Sequence, residues 1–321
     1  MSLHGGIDLG GTKIQTVVVD EAHEVRGEAR RPTPHEGGPQ DVAEAVAGCM
    51  REAAELAEVE TAALTGVGVG SPGEIDSGAG TVSSAGNLPG WAGAFALGPF
   101  LSEQLGTPVR LGNDVQVATD AEFKLGAASE YDSVLGVFWG TGVGGGLILD
   151  GRPWLGRGAA AEIGHVVVKQ GGALCPCGRH GCLEAYAGRG AMEAHARRQH
   201  ADGHKTDLFK IMEKRERERL TSGVWARALE HGDHLATHLV DRAVEALGTG
   251  IASALNLLDV EAVIIGGGMG VRLGQPYVDR IVDAIMPHLF NDARPPDVRL
   301  AALGDLGGAI GAGLLVAPDP G

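Results

Sequence analysis

The 321-residue chain carries 26 Lys and Arg against 41 Asp and Glu, a formal net charge of −15 at pH 7. That balance excludes a dedicated nucleic-acid binder, because clustered Lys and Arg supply most of the non-specific affinity for phosphate backbones. The 44% hydrophobic and 21% charged content excludes disordered and fibrous classes.

Glycine is the outlier: 53 residues, about twice the usual ~7%, imply many tight turns or close backbone approaches. Aromatics at 4% are too scarce for stacking platforms or cation–π cages. The opening MSLHGGIDLGG has neither a charged leader nor an apolar run of signal-peptide length, and no stretch of ~18 apolar residues follows. The expectation is a cytoplasmic protein with no membrane partner.

In chain order, an apolar run ending at Ile7 and a second from Ile14 to Val19 predict a hairpin with its tip at Asp8-Leu9-Gly10-Gly11-Thr12-Lys13. Apolar residues recur at helical spacing from Asp41 to Val59, with Asp41 as the expected N-cap. Short strands follow at Leu64 to Gly70 and at Val109 to Leu111, the latter running into Asn113-Asp114. Strand ends of this kind are where α/β folds place chemistry.

A second hairpin is expected from Val134 to Asp150, around a turn spanning Gly140 to Gly146. It repeats the plan of the opening, so the sequence predicts a duplicated α/β architecture with a nucleotide between its halves. A helix near Asp233 to Leu258, a strand Ala262 to Ile265 ending in Gly266-Gly267-Gly268, a helix around Tyr277 to Leu289, a strand near Val298 to Leu303 and a small-residue helix Leu306 to Val316 complete the pattern. The sign-alternating run Glu213 to Arg219 reads as an exposed helix, and His231, His234 and His238 as solvated surface. Cys49 reads as a small core residue.

Asp8 to Lys13 lacks the spacing of a Walker A loop, yet its glycines let a polyphosphate approach the backbone. Thr12 adds a hydroxyl, and Asp8 is positioned to orient Mg²⁺ through water. Gly140, Thr141, Gly142 and Gly144 form a comparable nest of N–H donors, and Gly266 to Gly268 let an adenine and ribose lie against the backbone. More specific is Glu162-Ile163-Gly164-His165 followed by Cys175-Pro176-Cys177-Gly178-Arg179-His180-Gly181-Cys182-Leu183-Glu184. One imidazole and three thiolates complete a closed, structural Cys₃His zinc site. Spacing alone leaves His165 and His180 as rival fourth ligands.

Taken in order, Asp8 to Lys13, Asn113-Asp114, Glu162 to His165 and the Cys175 to Glu184 run resemble the ROK family of bacterial sugar kinases and repressors, over roughly residues 5 to 316. The resemblance implies an actin-like, ribonuclease-H-like fold with two α/β domains around a nucleotide and sugar cleft. Their expected bounds are 1–112 with 300–321 returning, and 113–299. It also implies ATP with Mg²⁺, transfer of the γ-phosphoryl group to a hexose 6-hydroxyl, glucose as the commonest acceptor, and a homodimer or homotetramer.

By the same resemblance the metal ligands are His165, Cys175, Cys177 and Cys182, and the catalytic base is Asp114. Asn87, Asn113, Asp114, Glu162, His165 and Glu184 hold the sugar, the second nitrogen of His165 donating to it. Relatives acting on mannose, fructose, allose, N-acetylglucosamine or N-acetylmannosamine, and sugar-sensing repressors without kinase activity, have similar motifs. The repressors differ by an N-terminal winged-helix segment, whereas here the phosphate hairpin begins at once.

Overall fold

The computed structural model describes residues 2–317. It divides into two units: one running through Ser129 and taking back Leu155–Gly158 and the chain from Ala302, the other formed by Glu130–Trp154 and Ala159–Ala301. The expected boundary at 112/113 is therefore displaced, and residues 1 and 318–321 of the expected first domain lie outside the described residues. The displacement has a packing cause: the helix that follows Asn113 lies against the C-terminal helix Gly307–Leu314, where Gly311 approaches the Val117 carbonyl oxygen so closely that a Cβ would stand 2.0 Å from it.

The first unit comprises β1 (His4–Leu9), β2 (Lys13–Val19), β3 (Val25–Pro32), α1 (Pro39–Leu56), β4 (Val67–Ser71), the small hairpin β5 (Glu74–Asp76) and β6 (Thr81–Ser83), α2 (Leu97–Leu105), β7 (Val109–Asn113) and α3 (Asp114–Leu125). Its sheet has the order β3-β2-β1-β4-β7, with β1, β4 and β7 parallel and β2 and β3 antiparallel. Alternation along β1 sends Ile7 and Leu9 into the fully buried core beneath α1. Gly6 points the other way, where a Cβ would lie 2.0 Å from the Ala309 carbonyl oxygen; at Gly68 on β4 the clearance to the Ala312 oxygen is 1.7 Å. Two glycines on neighbouring strands thus let the C-terminal helix press onto the sheet. Cys49 and Met50 are fully buried on the inner face of α1. That helix begins one turn earlier than expected: Gly38 is the N-cap, and Asp41 reaches back to accept the Gly38 N–H at 2.8 Å.

The second unit comprises β8 (Val134–Trp139), β9 (Val143–Leu149), β10 (Arg152–Pro153), α4 (Glu184–Ala187), α5 (Arg189–Ala201), α6 (Leu208–Lys214), α7 (Ser222–Glu230), α8 (His234–Leu258), β11 (Ala262–Gly266), α9 (Gly267–Leu273), α10 (Gln275–Ile285) and β12 (Asp297–Leu300). Its sheet order, β10-β9-β8-β11-β12, reproduces the first strand for strand, with the same parallel and antiparallel pairings. This repeated plan is that of the actin-like, ribonuclease-H-like ATPases.

A long amphipathic α8, capped by Asp233 accepting the Ala236 N–H at 2.8 Å, packs its apolar stripe into a core that includes the fully buried Trp139 and Trp225. Burial of side chains of this size contributes roughly 1.5–3 kcal/mol each. The charged run expected to be helical departs from that reading: α6 ends at Lys214, and Glu216 takes a positive φ of 52° in the turn beyond it. No described helix is long and apolar enough to cross a membrane.

Candidate active site and metal centre

In the first unit, the register pairs Asp8 with Gly70, Gly70 with Gly112 and Ser71 with Asn113, so the C-terminal ends of β1, β4 and β7 lie level. Asp8 and Gly112 are two strands apart, roughly 10 Å at normal strand spacing. Burial pushes the Asp8 carboxyl above its ordinary pKa, partly opposed by the Lys13 ammonium. The turn between β1 and β2 is closed by the Gly10 N–H donating to the Lys13 carbonyl at 2.9 Å. Thr33, just past the end of β3, fastens it: its hydroxyl donates to the Gly10 carbonyl at 2.6 Å and its N–H to the Thr12 carbonyl at 3.3 Å. Sequence reading missed Thr33, which is remote along the chain. Thr12 is exposed at the tip, and the backbone of Asn87 lies against Gly11.

Asn113 and Asp114 stand where β7 becomes α3. The Asn113 carboxamide oxygen accepts the N–H groups of Val115 and Gln116 at 3.0 and 3.1 Å, the ordinary work of an N-cap, which leaves its NH₂ to donate elsewhere. Asp114 is the first helical residue, and its Oδ1 accepts the Val115 N–H at 2.9 Å. The positive end of the helix favours a carboxylate there.

In the second unit, His165, Cys175, Cys177 and Cys182 place their ligand atoms within 4.8 Å of one another. Cys175 Sγ lies 3.9 Å from His165 Nδ1, and Cys177 Sγ 3.8 Å from Cys182 Sγ. A tetrahedral ion with bonds of about 2.3 Å to sulfur separates its thiolates by about 3.8 Å, so the donor set and its spacing fit such an ion. The knuckle is shaped by the Cys175 N–H donating to the Arg179 carbonyl and the Gly178 N–H to the Cys175 carbonyl. Without an ion the thiols differ: burial pushes Cys175 up to about 12, while the Arg179 N–H lowers the more exposed Cys177 to about 7. His180 stands outside the cluster, exposed, with Nδ1 3.0 Å from the Gly172 carbonyl oxygen. The other nitrogen of His165, Nε2, lies 3.9 Å from Glu162 Oε2.

The turn joining β8 to β9 is shorter than expected. Only Gly140, Thr141 and Gly142 lie outside the strands, closed by the Gly140 N–H on the Gly142 carbonyl at 2.9 Å; Gly144 is already in β9, opposite Phe138. Glu184 braces this turn, its Oε2 accepting the Val143 N–H at 2.9 Å, and a Cβ on Gly142 would stand 2.2 Å from that oxygen. Its Oε1 lies 3.9 Å from Cys175 Sγ.

Gly267, with φ +77°, lets the chain turn from β11 into α9 directly over the Trp139 backbone, and the Gly268 nitrogen comes within 3.9 Å of where a Gly140 Cβ would be. The two glycine segments are therefore neighbours. The second unit gathers Glu162, His165, the three cysteines, Glu184, Gly140 to Gly142 and Gly266 to Gly268. The first gathers Asp8 to Lys13, Asn87, Asn113 and Asp114. Sequence reading also missed Arg189, whose Nη2 donates to the Thr141 hydroxyl at 2.7 Å.

A model described as the ROK family matches residues 4–318. The chain is 35% identical to a glucokinase of Thermotoga maritima over 289 residues, 88% of each protein. It is 31% identical to an N-acetyl-D-glucosamine kinase of Citrobacter koseri, across 99% of this chain and 100% of that protein. Among solved structures it is similar to a ROK family glucokinase from Streptomyces griseus in complex with glucose and AMPPNP. The TM-score there is 0.84 at 29% identity, covering 98% of this chain and 99% of that one.

Proposed function

The chain belongs to the ROK family, and on that footing we propose that it is an ATP-dependent hexose kinase that phosphorylates the 6-hydroxyl of glucose. The observation that carries this reading is the Asp114 carboxylate at the head of α3, at the same strand-end edge of the first unit as Asp8 and the Gly10-Gly11 turn. Glucokinase relatives support the acceptor class.

In this reading the sugar O6 attacks the γ-phosphorus, the bond from that phosphorus to the β,γ-bridging oxygen breaks, and the hydroxyl proton passes to Asp114. ADP leaves with the bridging oxygen. A positioned carboxylate of this kind typically contributes 10² to 10⁴-fold. Phosphoryl transfer demands little covalent work, so the remaining residues orient and stabilise charge. Asn87, the Asn113 NH₂, Glu162, His165 and Glu184 hold sugar hydroxyls. The turns at Gly10 to Lys13, Gly140 to Gly142 and Gly266 to Gly268 receive the nucleotide through backbone N–H groups.

Mg²⁺, when bound, would neutralise phosphate charge, and the half-buried Asp8 carboxyl is the group suited to holding it through water. Zinc at His165, Cys175, Cys177 and Cys182 is structural, since four protein ligands leave no open position. With His165 Nδ1 toward the thiols, its Nε2–H is left to donate to Glu162 or the sugar.

The test is a coupled assay over glucose, mannose, fructose and N-acetylhexosamines, with ATP and with inorganic polyphosphate as donors. Asp114→Asn is expected to lose 10² to 10⁴-fold in kcat while retaining sugar binding; near-normal turnover refutes the assignment of the base. A preference for N-acetylglucosamine, favoured by the 31% identity to an N-acetyl-D-glucosamine kinase, would move the acceptor and leave the mechanism.

A further inference from the structure

Arg189, the first residue of α5, is half-buried and makes no ion pair among the described residues. Its bonds go to neutral oxygens: Nη1 donates to the Leu220 carbonyl at 2.9 Å and Nη2 to the Thr141 hydroxyl at 2.7 Å. The neighbouring carboxylate, Glu193, is already committed. It is 4% exposed at the side chain and accepts from Arg197, from Arg219 and from the Leu220 N–H. Burial above all, and also the Arg219 charge, press the Arg189 guanidinium toward losing its proton, with Glu193 opposing them from a distance.

A guanidinium keeps its charge in proteins, and a charge removed from water calls for a counter-ion. Among the described residues no carboxylate pairs with it. The same residue grips the Gly140 to Gly142 turn through the backbone: the Arg189 N–H donates to the Gly140 carbonyl at 3.1 Å, and the Gly190 N–H to the Thr141 carbonyl at 2.9 Å. Thr141 itself is exposed.

We propose that Arg189 is the cation of the phosphate site in the second unit: it fixes the Thr141 turn and supplies the positive charge that a bound chain of phosphates neutralises. This rests on the reading that the Gly140 to Gly142 turn receives the donor. It adds what that reading lacks, a fixed charge in a loop with no Walker A lysine. The required ligand chemistry is a polyphosphate chain, carried by a nucleotide or by inorganic polyphosphate.

The test is calorimetric titration of the full chain, wild type and Arg189→Gln, with ADP, adenosine, tripolyphosphate and glucose. Glutamine retains a donor for Thr141 and Leu220 but no charge. ADP affinity is expected to fall about 10- to 100-fold, the range for a hydrogen bond to a charged group, with adenosine and glucose affinities unchanged. The KM for ATP should rise more than kcat falls. If the donor is inorganic, tripolyphosphate binds the wild type and is weakened by the same factor.

Arg189→Lys is expected to recover at least half of the logarithmic loss. It serves as the second variant if Arg189→Gln folds poorly, as judged by its melting curve. Equal ADP affinity in wild type and Arg189→Gln overturns the proposal, as does an Arg189→Lys protein as weak as the glutamine variant. A wild type that binds neither ADP nor tripolyphosphate removes the phosphate reading of the turn itself, a result distinct from either of those.

Discussion

Glu184 Oε2 accepts the Val143 N–H at 2.9 Å, so a carboxylate two residues beyond Cys182 of the histidine and cysteine cluster holds the first residue of β9. With Trp139 Nε1 donating to the Ala187 carbonyl at 2.7 Å, α4 is fastened to both sides of the Gly140 to Gly142 turn. The cysteine loop and the Gly140 to Gly142 turn are thereby parts of one braced assembly.

Removing the brace should cost measurable stability. Glu184→Ala leaves the buried Val143 N–H without its acceptor, an expected loss of about 1–3 kcal/mol. Glu184→Gln keeps an acceptor oxygen and should lose less. Urea unfolding of both variants checks the order; an alanine variant as stable as the wild type would mean that the turn holds its shape unaided.

Metal analysis of the purified chain is expected to find about one equivalent of zinc, and chelation should lower the melting temperature. His165→Ala should lose the ion and His180→Ala should keep it, because only His165 presents a ring nitrogen to the thiols. The reverse pattern of metal retention contradicts this assignment.

Asp120 provides a pH signature. Burial raises its carboxyl to about 6, opposed by the Gln116 amide, which donates to Oδ1 at 2.6 Å, and by Lys124. Because the folded-state pKa stands above the ordinary 3.8 of an aspartate, the native state holds this proton more tightly than the unfolded chain does. Protonation therefore favours folding in acid, and that advantage disappears as pH rises from 3.8 through about 6, each pH unit of that interval costing about 1.4 kcal/mol. Asp120→Asn should accordingly gain stability relative to wild type at pH 8 and differ little at pH 4. Denaturation at the two pH values measures the difference, and a gain confined to the acid side would reverse the sign.

Gly68→Ala tests the seating of the C-terminal helix. A Cβ 1.7 Å from the Ala312 carbonyl oxygen meets backbone, which cannot swing aside. The expected loss exceeds the roughly 1–3 kcal/mol of ordinary overpacking. A melting temperature within a degree of wild type would show that the helix can lift at little cost.

The chain announced its repeated plan through two apolar pairs of strands around glycine turns, and its histidine and cysteine cluster through three cysteines within eight positions. Both are local patterns with a fixed period or spacing. Spacing left His165 and His180 as rivals and only the resemblance chose between them; in the structure His165 alone of the two turns a ring nitrogen toward the thiols. Helix α1 begins at Pro39 behind a Gly38 N-cap because Asp41 serves from the third helical position, a reversal that composition does not reveal. Gly144 looked like turn but pairs with Phe138, since a glycine run carries no mark of where the strand resumes. Arg189 and Thr33 act on turns 48 and 23 residues away, and nothing in a lone Arg or Thr advertises such a partner.

The Gly6 and Gly68 surface of the first sheet is covered by residues 307–314, among the last parts of the described chain to be made. During synthesis that face carries α3, seated against Gly70 and Gly112, before residues 307–314 emerge to complete it, and every residue of the second unit has by then been made.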